Sequence, residues 1–223
     1  MLGSDTEEGR VYFGYLGICR DFIEDLDRNA PILDAGSGDG RFLRVLQEVG
    51  FRNIHATDYS ERALAFAKLF VPGVETAVAD LAKLPYADQS FDRVFLIETL
   101  EHIIPDMIPA IVREFARILR PEGELIITVP STLLPVSKKH YQHFSADSLA
   151  AAVSPEFTPE EVIGQNYAGL RLLKALYLLI DNRWVSLPTL ARWYNRVVWP
   201  RCFNRSVPGR GRRIIGRFKK SVS

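Results

Sequence analysis

Cysteine is scarce in this 223-residue chain: there are two, Cys19 and Cys202, far apart and without the CxxC spacing of a metal or redox pair. A disulfide-stapled fold is therefore excluded, no metal ligand set is read, and the expected state is reduced and cytoplasmic. Long apolar runs are missing too. The most apolar, "LYLLI" at 176–180, falls far short of the ~20 residues that span a bilayer. The opening "MLGSDTEEGR" is acidic and has no apolar stretch behind a basic flank, so no secretory leader is expected. The dinucleotide fingerprint GxGxxG is lacking as well. Internal repeats and low-complexity tracts are absent.

What is present is ordinary globular composition, 47% apolar and 25% charged, enough for one substantial core. The net charge of +1 hides a division. From Asn166 onward the chain carries 13 of the 28 basic residues and one of the 27 acids, Asp181. A basic carboxyl-terminal segment thus follows an acidic body, a pattern that hints at an anionic partner.

Apolar runs suited to buried parallel strands occur at "APILDAG", "NIHATD", "VETAVAD", "FDRVFLIE" and "GELIITVP". Helical rhythms separate them. "RFLRVLQEVG" closes on Gly50, "SERALAFAKLF" starts at the cap Ser60, and "IPAIVREFARILRPEG" is stopped by Pro121 and Gly123. Alternating strand and helix predicts a parallel sheet covered on both faces. "VYFGYLGICRDFIEDL" reads as an amphipathic leading helix, with Tyr12 and Tyr15 placed to lid a ligand or simply to pack. After Pro130 come a loop, a short helix from Ser145, a weaker strand "FTPEEVIGQ", two apolar helical stretches near 168–181 and 187–204, and a final strand "RRIIGRFKK" after the turn "VPGRG". The expected division is a leading helix at 1–28, a ligand-binding core at 29–165, a basic helical insertion at 166–207 and a last strand and tail at 208–223.

In open parallel sheets the ligand lies at the carboxyl ends of the strands. The first strand ends in Asp34, Gly36, Gly38 and Gly40, the second in Asp58, the third in Asp80 and Leu81. Asp58 can accept both hydroxyls of a ribose, which a nicotinamide dinucleotide would also supply. Three observations point elsewhere. The spacing is GxGxG, with Arg41 where the dinucleotide fingerprint needs glycine. Asp34 and Asp39 flank the turn and would repel a pyrophosphate, whereas they suit a cation such as a sulfonium bearing an amino acid. Asp80 can accept an adenine amino group while Leu81 covers the ring.

Taken together, "ILDAGSGDGRF", "ATDYS", "VADLAKLPYADQSFDRVFLIETLEHI" and "RILRPEGELIITVP" closely resemble the class I S-adenosylmethionine-dependent methyltransferases, in the small-molecule branch near the ubiquinone-biosynthesis type. The resemblance runs in order from about residue 30 to 150. It implies a Rossmann-like, doubly wound, seven-stranded sheet, mostly parallel with a reversed last strand, and S-adenosyl-L-methionine as cofactor. By the same resemblance Gly36, Gly38 and Gly40 approach its methionine part, Asp58 holds the ribose, Asp80 and Leu81 meet the adenine, and Ile97 and Glu98 close the pocket; Tyr59, next to Asp58, is a further cofactor-binding candidate. Asp34 either orients the glycine turn or meets the cofactor amine.

The expected reaction is methyl transfer to a small-molecule or lipid-linked acceptor. A base helps where a hydroxyl is methylated. Candidates are Glu101, His102, His140, Tyr141 and His143, with His102 preferred; ordering the loops around them is the competing role. The basic segment interleaves Trp184, Trp193, Tyr194 and Trp199 with Arg183, Arg192, Arg196 and Arg201. It could pack with a solvated face, cap the pocket, touch an anionic membrane through 166–220, or contact nucleic acid. Nucleobase chemistry is disfavoured because strand four ends in "IETLEH" and not in an "NPPY"-type motif. A nicotinamide oxidoreductase and a non-catalytic cofactor-binding module stand as the alternative functions.

Overall fold

The computed structural model describes residues 19, 21–167, 175–179, 187–194 and 203–221. Most of the expected leading helix and much of the basic insertion, including Tyr12, Tyr15, Trp184, Trp199 and Cys202, lie outside the described residues.

Five strands run in one direction: β1 (Ile32–Ala35), β2 (Ile54–Asp58), β3 (Glu75–Val78), β4 (Phe91–Ile97) and β5 (Leu119–Pro130). Between and after them lie α1 (Arg41–Val49), α2 (Glu61–Phe70), α3 (Ile108–Ile118) and α4 (Ala146–Val153). The chain continues through β6 (Phe157–Tyr167), α5 (Pro188–Trp193), β7 (Phe203–Ser206) and β8 (Arg213–Lys220). The sheet order is β3-β2-β1-β4-β5-β8-β6-β7. β8 lies antiparallel between β5 and β6, so β6 points along β5. Seven strands with the last one reversed are therefore present, and β7, antiparallel on β6, adds a short eighth at the edge. Its residues belong to the stretch expected to be helical.

Local chemistry sets the helix ends. The Ser60 side chain accepts from the Ala63 backbone at 3.2 Å, Ser145 and Ser148 form a reciprocal capping box, and Gly50 closes α1 at φ 103°. α3 ends at Ile118, and the Arg120–Gly123 segment expected to finish it opens β5.

Side-chain alternation along the central strands feeds two cores, one on each face of the sheet. Leu33, Val94, Leu96, Leu125 and Ile127 pack with Ile111, Phe115 and Leu149 from α3 and α4. Ile32, Phe95, Ile97 and Ile126 pack with Phe42, Leu46 and Leu64 from α1 and α2, together with Cys19, Phe22 and Ile23. The carboxyl ends of β1 to β4 are left open between these layers, and there the site forms.

Candidate active site

A cleft of about 1050 Å³ opens at those strand ends, lined among others by Gly36, Asp58, Tyr59, Asp80, Leu81, Glu98 and His102. Each of these seven was singled out from the sequence. Asp34, Gly38, Gly40 and Ile97 do not line it, and their positions say why.

Asp34 is buried behind the turn, where burial first and Asp58 second push its carboxyl up to about 8. Ile97 is packed into the core. Gly40, at φ 84°, touches α2: an added Cβ would stand 2.9 Å from the Ala67 Cα. It lets a helix approach, the task usually given to the third glycine of the dinucleotide fingerprint. Gly36 does face the cleft, and its missing side chain admits Thr99, whose atoms would be 2.7 Å from a Cβ. Gly38, at φ 54°, has open space in front of it. Asp39, expected to repel phosphate, is paired with Arg41 at 3.0 Å, and Asp34 is held protonated by burial, so the negative charge of the turn comes from Asp58.

Asp58 holds the turn from the end of β2. One carboxylate oxygen accepts from the Gly38 backbone N–H at 2.9 Å and the other from Ser60 at 2.8 Å. A carboxylate has about four lone-pair sites, so each oxygen retains one for a ribose hydroxyl. Ser37 Oγ, buried in the same turn, finds no partner among the described residues. Asp80 is fixed by accepting from the Ala82 N–H at 2.8 Å, and Tyr59, 87% exposed, stands at the rim. An open glycine approach, a carboxylate with spare acceptors and an orphaned hydroxyl fit an adenosine bearing an amino-acid tail.

Tyr141, a candidate base from the sequence, also lines the cleft, whereas the apolar wall escaped the sequence reading: the turn after β4, the 3-10 turn Pro105–Met107 and the start of α3 bring Ile103, Ile104, Met107 and Ile111 into it, and Lys139 lines it too. The run "HIIPDM" is apolar without helical rhythm, and that was the available signal. Glu98 sits at φ 47°; its carboxylate accepts from Thr128 Oγ1 at 3.1 Å and pairs with Arg213 at 2.9 Å. Behind it Glu101 is buried, and burial first, then Glu98, push its carboxyl up to about 8. His102 Nδ1 lies 3.0 Å from the Lys139 carbonyl. The rings of His102 and His140 meet edge to face at 4.7 Å.

Residues 33–127 match the family model for a methyltransferase domain. The chain carries a class I S-adenosylmethionine-dependent methyltransferase domain. A probable S-adenosylmethionine-dependent methyltransferase of Mycobacterium tuberculosis is 33% identical over 127 residues, 54% of this chain and 45% of its own length. Methyltransferase GfsG of Streptomyces halstedii is 34% identical over 159 residues, 67% of this chain and 56% of its own. The chain thus spans about half the length of the curated relatives it matches. Its fold is that of a S-adenosylmethionine-dependent methyltransferase from Archaeoglobus fulgidus, with a TM-score of 0.65 at 17% identity over 95% of this chain and 94% of that one.

A second cavity of about 610 Å³ lies at the opposite ends of the strands. There the rings of His55, Tyr86 and Phe91 pack edge to face on one another in its wall.

Proposed function

We propose that the protein transfers a methyl group from S-adenosylmethionine to a small-molecule acceptor. The observation that carries this reading is the convergence of Asp58, Asp80, Leu81 and Glu98 on one cleft beside Gly36. In this reading Asp58 takes the ribose hydroxyls, Asp80 and Leu81 the adenine, and Gly36, Ser37 and Gly38 the methionine end. When bound, the cofactor supplies an already activated methyl. The chain's own task is then alignment: holding an acceptor within about 3–3.5 Å of the reacting carbon and in line with it. Ile103, Ile104, Met107 and Ile111 offer an apolar wall for the acceptor's body, with His102 beside it. A lipid-linked acceptor and a peripheral membrane position belong to the same proposal, supported by the basic, apolar stretch near the end of the chain. A cytoplasmic setting is supported by Cys19, a buried free thiol.

Calorimetry with S-adenosylhomocysteine and with NADH tests the cofactor half. Binding of the first and not the second is expected, and the reverse would move the chain to the oxidoreductases. Asp58→Ala should weaken S-adenosylhomocysteine at least tenfold, in line with ~1.5–3 kcal/mol for a hydrogen bond to a charged group; unchanged affinity would refute the ribose assignment. Labelled methyl transfer into a mixed metabolite extract tests turnover, and binding without any transfer would favour the non-catalytic module.

A further inference from the structure

Three histidines in and beside the cleft are chained by hydrogen bonds that fix where their protons sit. A carbonyl oxygen can only accept, so His143 Nδ1 donates to Leu134 O at 3.0 Å and, in the neutral ring, its Nε2 carries a lone pair. That lone pair faces His140 Nδ1 at 2.8 Å, which must donate to it, leaving His140 Nε2 unprotonated. His102 Nδ1 donates to Lys139 O, leaving its Nε2 unprotonated as well. One carboxyl oxygen of Glu101 is buried without a hydrogen-bond partner among the described residues. One ligand-type atom from each of Glu101, His102 and His140 lies within 4.8 Å of the others. His102, which lines the cleft, thus presents an unprotonated Nε2 close to a buried carboxyl and a second imidazole.

Resting on the methyl-transfer reading, we propose that His102 accepts the acceptor's proton as one unit with the adjoining Glu101 and His140, with His143 a positioning residue, and that the acceptor is a hydroxyl- or amine-bearing molecule with an apolar body. His102 is the member that lines the cleft and meets the acceptor. The acceptor oxygen or nitrogen forms its bond to the methyl carbon as the carbon–sulfur bond breaks with its electron pair going to sulfur. The acceptor's proton passes to His102 Nε2. The resulting imidazolium keeps its Nδ1–H on Lys139 O, with the Glu101 carboxyl and the edge-on His140 ring adjoining it. His102 is exposed, so the proton is returned to solvent. Among the described residues, Glu98 and Arg213 act on Glu101, Glu98 and His143 act on His140, and Lys139 and Tyr141 line the cleft with His102. Burial first, then His102 and His143, hold His140 below the ordinary histidine range, which keeps it neutral at working pH. A carbon acceptor that loses no proton to a base would leave this arrangement without a task.

The test uses histidine-15N-labelled full-length chain, saturated with S-adenosylhomocysteine in EDTA at pH 7.5, with each ring assigned by single substitution. Two-bond proton–nitrogen spectra should show all three rings as Nδ1–H tautomers; an Nε2–H form at His102 or His140 overturns the proposal. His143→Leu should release His140 into the mixed tautomers of an unconstrained imidazole, and His143→Gln, whose amide oxygen can accept from the same nitrogen, should restore Nδ1–H. An unchanged His140 in His143→Leu would remove the positioning role, and the wild-type spectrum decides the rest if that variant does not fold. In the metabolite-extract assay, His102→Asn should lose a hundredfold or more of the transfer rate, the usual reach of general base catalysis, with S-adenosylhomocysteine affinity intact. A rate within threefold of wild type overturns the proposal. Absence of transfer by the wild type would count against methyl transfer itself, while the tautomers still judge the unit.

Discussion

At the scale of single residues, three glycines in five positions do three different jobs. Gly36 makes room for Thr99, Gly40 makes room for α2, and Gly38 faces open space while its N–H is held by Asp58. Their substitutions should separate accordingly. Gly40→Ala meets both a left-handed φ and an immovable backbone, and a loss of about 2–4 kcal/mol is expected from strain added to overpacking. Gly38→Ala meets only the backbone term, about 1–2 kcal/mol, and should lower S-adenosylhomocysteine affinity more than Gly40→Ala does. Urea unfolding and calorimetry on the two variants measure both quantities.

Asp34 gives the second residue-scale prediction. Its carboxyl holds its proton up to about pH 8 in the fold and only to about pH 4 in the unfolded chain. Between those values the native state binds the extra proton, so unfolding free energy falls as pH rises, by up to about 1.4 kcal/mol per pH unit. The stabilisation is complete in acid and gone above pH 8. Asp34→Asn should flatten that slope in unfolding series from pH 5 to 8; an identical slope in variant and wild type would place the carboxyl in water. The sequence names Asp34 as an acid beside a glycine turn, but burial is a property of what packs behind it, and no spacing rule carries that.

Elements are joined at the other end of the sheet by a cluster of charges. Arg93 of β4 is 3% exposed and meets Asp25 at 3.0 Å, as well as Glu124 of β5 and the Phe22 carbonyl. Arg217 of β8 reaches Glu124 at 2.5 Å and Asp25 at 3.1 Å. The segment before β1 is thereby tied to three strands. Arg93→Met should cost about 3–5 kcal/mol, because Glu124 is left buried with less compensation, and adding Glu124→Leu should recover part of the loss. Thermal unfolding of the single and double variants checks this, and additive losses would show the pair to be uncoupled.

The strands of the parallel half are legible as apolar runs ending in acids, since burial on both faces demands little else. β7 is not legible: "FNRS" has no apolar alternation and forms because β6 offers it an edge. The cleft wall at 103–111 is likewise set by a turn, so its residues fall together in space without a period in sequence.

For the whole molecule the leading feature is the separation of charge between an acidic body and a basic end. In the described part of that end Leu176, Leu178, Leu179, Leu187, Leu190 and Trp193 are exposed, Leu179 to 69%. Among the described residues no helix is long and apolar enough to cross a membrane. Apolar side chains within a stretch rich in arginine and lysine suit an anionic lipid surface. Sedimentation with vesicles rich in phosphatidylserine is expected to pellet the protein at low salt, release it in part at high salt and leave it in solution with phosphatidylcholine alone. No pelleting at low salt would assign the segment to packing or to covering the cleft.

The position of β8 carries a consequence for how the molecule is made. β5 and β6 are both synthesised before the strand that lies between them, so until residues 213–220 have left the ribosome each keeps a row of unpaired backbone groups on the side that β8 will occupy. Assembly of the sheet therefore ends in its interior. A chain cut before Arg213 would lose the seam between two halves, and would expose β5 and β6 as two adhesive edges in addition to the outer edges at β3 and β7.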